Sequence, residues 1–500
     1  MIVDAGGIKG RALSFSNLNG SVVTLACGAL LAFAMAFHSL VPLTADVSYF
    51  LLADERILAG AVPYVDILET NPPLAFWITL PPVWLARILG LSSQVSFVAY
   101  VCLMIAASLA VTRLILRSAG EASGNTALLL IASAMALTVV PAEAFGQREH
   151  FATLLALPYV AAAAQLAEGR KPRTALCVLA GLLGGVGMAF KPYLLAIPML
   201  VEAFLLWERR DWRQLFRTET LGMAGVLAAY PLLVWQFTPA YFSEIVPLAL
   251  ITYGAFEISY LLTLLRHPVA VFALFIGVAT TLIWRSNLQR RGDWVWIAAS
   301  AGGFICYLVQ AKGWPYQLLP GLVFVTIPLL VNAARIPGAM ARVVIFGCFA
   351  IVVIKGFSIF IGTQNLRIAY LDKLLAERKP QRIMALSYDL GLLFPYVETR
   401  GIVWSGRFQS IWTMPAVARE LIPVEQRDAV TAQTAEFVAE DLNRWKPDVV
   451  IVDRQSNTLR LQGHEIKYVE WFSRSPDFVL AWSSYKLVNS NGYFEVWERQ

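Results

Sequence analysis

The feature that most constrains this 500-residue chain is a succession of apolar runs, most of them long enough to cross a bilayer. A spanning helix needs about 20 such residues. Hydrophobic residues make up 58% of the chain and charged residues only 15%, whereas a soluble protein is about a quarter charged. The sequence therefore predicts a polytopic α-helical membrane protein with about eleven spans: 21–43, 95–116, 126–143, 151–167, 174–190, 194–207, 219–237, 268–284, 294–310, 318–334 and 343–361.

One further apolar run, residues 73–90, decides the topology. If it does not cross the membrane, most Lys and Arg of the first 361 residues fall on the side of the N-terminus, as the positive-inside rule prefers. Pro81 and Pro82 also argue against a straight span. We therefore expect 73–90 to be a helix on the outer surface. This places the N-terminus on the cytoplasmic side of the membrane and the C-terminal tail on the outer side.

The chain changes character at about residue 362. Strand-like runs at 382–387, 448–453, 478–482 and 493–497 alternate with helix-like runs at 366–378 and 433–445. Such alternation predicts a small α/β domain. The predicted division is therefore a membrane domain over 1–361, with an outer loop over 44–94, and an extracytoplasmic α/β domain over 362–500.

The outer loop 44–94 concentrates carboxylates, namely Asp46, Asp54, Glu55, Asp66 and Glu69. Asp46 precedes a predicted surface helix over 47–59. It has two interpretations that carry equal weight: a helix N-cap, for which Asp is well suited, or a general base at the lipid–water boundary. Asp54 and Glu55 are candidates for sugar or acceptor binding, although a solvated helix face suits them better. Asp66 and Glu69 are expected to organise the loop.

Other predicted outer loops carry isolated cations. Arg148, Glu149 and His150 run consecutively into the span at 151–167. Lys191 lies between two tightly linked helices, and Lys312 lies near Tyr316. A lysine at a helix end can simply snorkel to the surface, but a cation on the side depleted of cations also suits a phosphate. No Cys or His arrangement indicates a metal site.

These residues resemble the GT-C glycosyltransferases, in the group of protein O-mannosyltransferases and lipid A aminoarabinose transferases. The resemblance rests on an Asp just after the first span, Gly60 followed by Pro63-Tyr64, and Pro72-Pro73-Leu74 with Trp77 opening a helix. The resemblance covers the overall layout of the chain, but its motifs are concentrated in about 50 residues. That family also has two juxtamembrane helices in this loop and an outer C-terminal domain. The resemblance to its bacterial members implies an inner-membrane protein with a cytoplasmic N-terminus and a periplasmic C-terminal domain.

The resemblance implies roles for individual residues. Asp46 takes the place of the catalytic base, Glu149 that of an assisting acid, and Arg148, Lys191 and Lys312 those of donor-phosphate ligands. Tyr64, His150 and Tyr316 join Asp54 and Glu55 as candidates for sugar or acceptor binding. Two departures matter: Asn71 stands where relatives carry a Lys before the Pro pair, and Asp46 lacks the adjacent acid typical of mannosyltransferases. The second departure weakens the expectation that the acceptor is a protein.

The expected reaction moves one sugar from a polyprenyl monophosphate to a hydroxyl of an extracytoplasmic lipid or glycan, with inversion. Membrane lipids and the acceptor are the expected partners, and nucleic acid is not. The reaction requires no metal, although a divalent ion stays an open alternative. A ligase using a pyrophosphate-linked glycan is the closest rival. A lipid or sugar transporter should show broken segments in matched halves, and a non-catalytic scaffold would not require the outer acids and cations.

Overall fold

The computed structural model describes residues 20–267, 290–336, 339–376 and 378–500. The predicted span at 268–284 lies outside the described residues. In the first part of the chain, most of the described residues are helical. Its helices are α1 (Gly20–Leu40), α2 (Ala45–Leu58), α3 (Leu74–Leu89), α4 (Ser93–Ser118), α5 (Ser123–Thr138), α6 (Arg148–Ala167), α7 (Thr174–Ala189), α8 (Ala196–Arg209), α9 (Thr218–Phe237), α10 (Val246–Thr252), α11 (Tyr260–Arg266), α12 (Arg291–Gln310), α13 (Leu319–Arg335) and α14 (Ala339–Leu374).

Seven helical segments of the described chain are long and apolar enough to cross a membrane. An eighth is added if the pair Tyr241–Phe256 and Tyr260–Arg266, which meet at 72°, forms one bent span. The prediction of about eleven spans left 238–267 between two spans and did not include this pair. Helices α3, α5 and α7 are apolar but shorter. The chain is therefore a multi-pass helical protein, and the exact number of spans stays a prediction.

Helix α6 forms the centre of the bundle, and all of its residues are buried. It packs against α4, α7, α12 and α13. Small residues allow neighbouring helices to approach closely: a Cβ on Gly181 of α7 would lie 2.1 Å from the carbonyl oxygen of Glu219 in α9. Because α6 is enclosed on every side, its first turn is held rigidly at one end of the bundle. We call this end outer and the opposite end inner, after the predicted orientation.

Helices α2 and α3 form the loop between α1 and α4. The predicted helix over 47–59 is confirmed but begins two residues earlier, with Thr44 in the N-cap position. The interpretation of Asp46 as the N-cap is therefore wrong, because Asp46 lies inside the first turn and its side chain is engaged elsewhere. The predicted helix over 73–90 is confirmed as α3, which contains both prolines. Its 16 residues are fewer than a straight span needs.

Helix α14 runs without a break through the predicted domain boundary, so the predicted helix over 366–378 is its continuation. A five-stranded sheet follows, in the order β2-β1-β3-β5-β4. Its strands are β1 (Arg382–Leu386), β2 (Val403–Trp404), β3 (Val449–Asp453), β4 (Tyr485–Ser490) and β5 (Phe494–Arg499), and its helices are α15 (Tyr396–Arg400), α16 (Met414–Ala418), α17 (Val424–Trp445), α18 (Tyr468–Phe472) and α19 (Pro476–Trp482). Strands β2, β1 and β3 are parallel, whereas β5 is antiparallel to both β3 and β4.

Three of the four predicted strands are confirmed as β1, β3 and β5. The predicted strand over 478–482 is wrong, because this segment belongs to α19. Ser475 caps that helix by accepting the amide of Phe478, and Pro476 occupies its first turn, a combination that starts helices. Strands β2 and β4 were not predicted.

The segment around β2 is joined to the outer loop. Leu68 donates its amide to the carbonyl of Arg407 at 2.9 Å and forms a β-bridge with Phe408. Arg56 donates to the carbonyl of Gly406 at 2.6 Å, and its guanidinium lies over the ring of Trp404 at 4.4 Å. The loop that carries Asp46 is therefore fixed on one side by the bundle and on the other by the sheet domain.

Candidate active site

The first turns of α2 and α6 meet in a salt bridge. Arg148 Nη2 lies 2.7 Å from Asp46 Oδ1, and the Arg148 guanidinium lies 5.1 Å from the ring centre of Phe50. Arg148 is the first residue of α6, where the helix dipole disfavours a cation. The Asp46 carboxylate offsets this cost. The Asp46 side chain is still 27% exposed, so its carboxylate is within reach of a substrate.

A second and more deeply buried pair lies beside the first. Glu149 is completely buried, and its Oε1 accepts hydrogen bonds from Lys191 Nζ at 2.9 Å and from the Tyr193 hydroxyl at 2.6 Å. Glu149 Oε2 has no partner among the described residues. An unpaired buried acceptor costs about 1–3 kcal/mol. A hydroxyl group of a ligand would recover that cost.

Tyr316 connects the two pairs. The guanidinium of Arg148 lies 5.9 Å and the ammonium of Lys191 lies 5.4 Å from the centre of its ring. The Tyr316 ring also stacks on Trp314 at 5.8 Å. Asp46, Arg148, Glu149, Lys191 and Tyr316, all predicted site residues, are therefore brought together by the fold.

Lys312 lies in the outer loop between α12 and α13. Its ammonium is 3.8 Å from the ring centre of Tyr253 and 5.4 Å from that of Trp314. No carboxylate pairs with Lys312 in the part of the chain that the structure describes. Burial, reinforced by the charge of Lys191, lowers the pKa of Lys312 to about 7. Lys312 thus forms no ion pair among the described residues and suits an anionic ligand.

Glu69 is a site residue that the sequence analysis assigned only to loop structure. It is 2% exposed, and its Oε1 accepts the Asn71 amide at 2.7 Å and the Asn71 side chain at 2.6 Å. Its Oε2 accepts Gln409 Nε2 at 3.0 Å. Burial raises the pKa of Glu69, whereas the nearby charge of Arg148 opposes that rise. The acid before Asn71-Pro72 was visible in the sequence, but its burial was not.

Asp54 and Glu55 do not reach this group of residues. Asp54 is fully buried within the loop, has no hydrogen-bond partner among the described residues, and has its pKa raised well above the usual range by burial. Glu55 is exposed, and its Oε1 accepts the Ser93 hydroxyl at 2.6 Å. Both residues lie in the second half of α2, away from the first turn that carries Asp46.

Tyr64 and His150 use their polar atoms within the protein. The Tyr64 hydroxyl donates to the carbonyl of Asn71 at 2.8 Å. His150 Nδ1 accepts the Gly146 amide at 3.0 Å, so its Nε2 carries the proton and donates to the carbonyl of Leu137 at 2.9 Å. Both side chains are buried, and their contacts hold the loop and the start of α6 in place.

The described residues contain no group of three or more His, Cys, Asp or Glu side chains able to hold a metal ion. What the site offers is a partly exposed carboxylate, a buried second carboxylate and several cations at the outer end of a membrane bundle. The bundle, its outer loop and the C-terminal sheet together have a fold similar to that of solved membrane-protein structures.

Comparison with known proteins indicates the class of protein. Residues 70–311 match the model of glycosyltransferase family 87. Two crystal structures of ArnT from Cupriavidus metallidurans are similar to the chain at 14% identity. The one bound to undecaprenyl phosphate covers 95% of this chain and 98% of its own, with a TM-score of 0.58. The apo structure covers 95% and 97%, with a TM-score of 0.59. A search of curated proteins finds no significant match. The resemblance to GT-C glycosyltransferases is confirmed.

Proposed function

We propose that this glycosyltransferase moves one sugar from a polyprenyl monophosphate to a hydroxyl group of an acceptor outside the plasma membrane. A lipid or polysaccharide is the acceptor that we favour. The observation that carries the proposal is the pairing of Asp46 with Arg148 at 2.7 Å, at the outer end of the bundle and beside further cations. The ArnT structure bound to undecaprenyl phosphate, a polyprenyl phosphate, supports the choice of donor.

Asp46 is the proposed general base. The acceptor hydroxyl attacks the anomeric carbon as its proton passes to the Asp46 carboxylate. The bond between that carbon and the phosphate oxygen breaks, and polyprenyl phosphate leaves with the electron pair. A single displacement of this kind inverts the anomeric centre. Arg148 holds the Asp46 carboxylate in a fixed orientation, in which it can accept the proton.

The leaving phosphate needs positive charge rather than a general acid. Electrostatic stabilisation of a developing charge is usually the largest catalytic term. Arg148 and Lys191 are already matched by Asp46 and Glu149, whereas Lys312 has no carboxylate partner among the described residues. We therefore assign the main phosphate contact to Lys312. Lys191 and Glu149 line the site beside it, where Glu149 Oε2 can accept a sugar or acceptor hydroxyl.

The test is release of free polyprenyl phosphate from a panel of radiolabelled polyprenyl-phosphate sugars by purified protein in detergent. Wild type is compared with Asp46→Asn, with folding checked by melting temperature. Turnover that is lost in a folded Asp46→Asn protein supports the proposal. Equal turnover in both proteins removes Asp46 as the base. No turnover with any monophosphate donor, but turnover with a pyrophosphate-linked glycan, would establish a ligase instead.

A further inference from the structure

We propose that the C-terminal sheet domain builds part of the donor-phosphate site, with Arg460 as the residue that positions Lys312. This inference rests on the proposed function and extends it, because it assigns to the sheet domain a role in binding the lipid donor. Arg460 lies between β3 and α18, far along the chain from the bundle. No sequence motif connects it with the site.

Arg460 reaches from the sheet domain into the bundle. It is only 8% exposed. Its Nη1 donates to the carbonyl of Phe256 and its Nη2 to the carbonyl of Lys312. The guanidinium also lies 5.5 Å from the ring centre of Trp314. A planar guanidinium can hold two acceptors in a fixed geometry, which a lysine cannot do. Arg460 thus ties together two loops of the membrane part.

The turn that carries Lys312 depends on such external support. Ala311 and Gly313 on either side of Lys312 both have positive φ, at 46° and 58°, a conformation that is unfavourable for alanine. The carbonyl of Ala311 accepts the amide of Ile258 at 2.7 Å, so the turn is held from one side by the bundle. Arg460 holds the next residue of the turn by donating to the Lys312 carbonyl. With the backbone fixed at both points, the Lys312 ammonium is kept over the ring of Tyr253.

Arg460 also acts on Lys312 through its charge. The charged groups that face Lys312 are Lys191 and Arg460, which lower its pKa, and Glu257, which raises it. Burial is the largest contribution, and together these effects set the pKa of Lys312 at about 7. Replacing Arg460 by a neutral residue removes one repelling cation. The pKa of Lys312 should then rise, and the pH at which the lysine loses its proton should rise with it.

The structure provides a matched control in Arg419. This residue also reaches from the sheet domain to the bundle, where its Nη1 donates to the carbonyl of Ala255 at 2.5 Å. Ala255 is the immediate neighbour of Phe256, but Arg419 has no contact with the Lys312 turn in the described chain. Arg419→Gln therefore removes an equivalent bond between the two parts of the protein. It leaves the support of Lys312 intact.

The experiment measures the binding of undecaprenyl phosphate to the purified full-length protein between pH 6 and pH 9. We expect Arg460→Gln to weaken binding about tenfold or more, because a charged pair of hydrogen bonds is lost. We also expect it to move the midpoint of the pH-dependent loss of affinity upward. Arg460→Lys keeps the charge but loses the paired contact, so it should weaken binding without moving the midpoint. Arg419→Gln should change neither quantity.

The outcomes separate this inference from the proposed function. If wild type does not bind undecaprenyl phosphate at any pH, the proposed donor is wrong. If wild type binds and Arg460→Gln matches Arg419→Gln in both affinity and midpoint, the donor stands and the role of Arg460 is refuted. If Arg460→Gln does not fold, Arg460→Lys decides: affinity equal to wild type overturns the inference, and reduced affinity at an unchanged midpoint supports it.

Discussion

Two groups of buried acids and cations, one toward each end of the bundle, differ in how completely the acids are satisfied. At the inner end, Arg217 donates to Glu202 at 2.7 and 3.0 Å and to Glu219 at 2.7 Å. The Tyr159 hydroxyl also donates to Glu202, and the Thr218 hydroxyl to Glu219. Every carboxylate oxygen of these two acids therefore has a donor. We call this group the inner network.

The outer network of Asp46, Arg148, Glu149 and Lys191 is incomplete. Glu149 Oε2 and Arg148 Nε have no partner among the described residues, and the Asp46 side chain is 27% exposed. Buried polar groups in proteins are normally satisfied, and each exception needs an explanation. We infer that the inner network serves the fold, whereas the outer network keeps polar groups available for a ligand. Substitutions in the two networks should therefore have different consequences.

The largest effect is expected for Asp46→Asn. A general base contributes about 10²–10⁴-fold to the rate, so turnover should fall by this amount in a protein that still folds. The measurement is the initial rate of polyprenyl phosphate release at saturating donor.

Asp46 could instead matter only as the counter-ion of Arg148. The double variant Asp46→Asn/Arg148→Gln removes both charges and separates the two roles. Recovery of turnover in the double variant would contradict the base and reduce Asp46 to charge balance. Continued loss would support it.

The second prediction compares the loss of one acid from each network. Glu149→Gln leaves Lys191 buried without its counter-ion, which costs about 3–5 kcal/mol. Glu202→Gln should cost less stability, because Arg217 keeps Glu219. We expect only Glu149→Gln to lower turnover after correction for the folded fraction. Unfolding free energies from denaturant titration and rates on the same samples check this, and an equal loss of corrected turnover in both variants would contradict the contrast.

The sequence located much of the outer network because each member lies at a helix end. The apolar runs fix where Arg148, Glu149 and Lys191 meet the outer surface, and the chain offers few other cations there. His150 was included only because it is adjacent. Successive helical residues point about 100° apart, and this rotation turns His150 toward the carbonyl of Leu137 in α5.

Contacts across long stretches of chain could not be predicted. Gln409 lies 340 residues from Glu69, and Arg460 lies 148 residues from Lys312. No local pattern encodes these contacts, because they depend on how the sheet domain docks onto the loop. Hydropathy was sufficient to predict the fold class. The incorrect prediction of a strand over 478–482 shows that a short apolar run does not distinguish a strand from a buried helix.

A third prediction concerns pH. Lys312 has a pKa of about 7, so it is charged below this pH and loses its charge as the pH rises through it. Donor affinity should therefore fall about tenfold between pH 6 and pH 8. Lys312→Arg should remove this dependence, because arginine stays protonated throughout. The KM for the donor measured across this range checks the prediction, and an equally pH-dependent KM in the variant would exclude Lys312 as the titrating group.

The smallest effect is expected where the sheet domain contacts the outer loop beside the outer network. Gln409 Nε2 is the donor to Glu69 Oε2, at 3.0 Å. Gln409→Leu leaves that buried oxygen unpaired, at a cost of about 1–3 kcal/mol. Since Glu69 lies near the charges of Arg148 and Asp46, part of this cost should reach catalysis as a several-fold decrease in kcat.

Gln455→Leu is the matched control for this effect. Gln455 also donates to a buried acid, Asp453, at 3.3 Å, but within the sheet domain and away from the loop. It should leave kcat unchanged and lower stability less than Gln409→Leu, because Asp453 Oδ1 still accepts the backbone amide of position 455 at 3.0 Å. If the two glutamine variants have the same kcat, the contact of the sheet domain with Glu69 stabilises the loop and does not affect catalysis. If only Gln409→Leu lowers kcat, Glu69 needs its hydrogen-bond donor from the sheet domain for full activity. The unpaired oxygen of Glu149 is then an exception at the position that a substrate would fill.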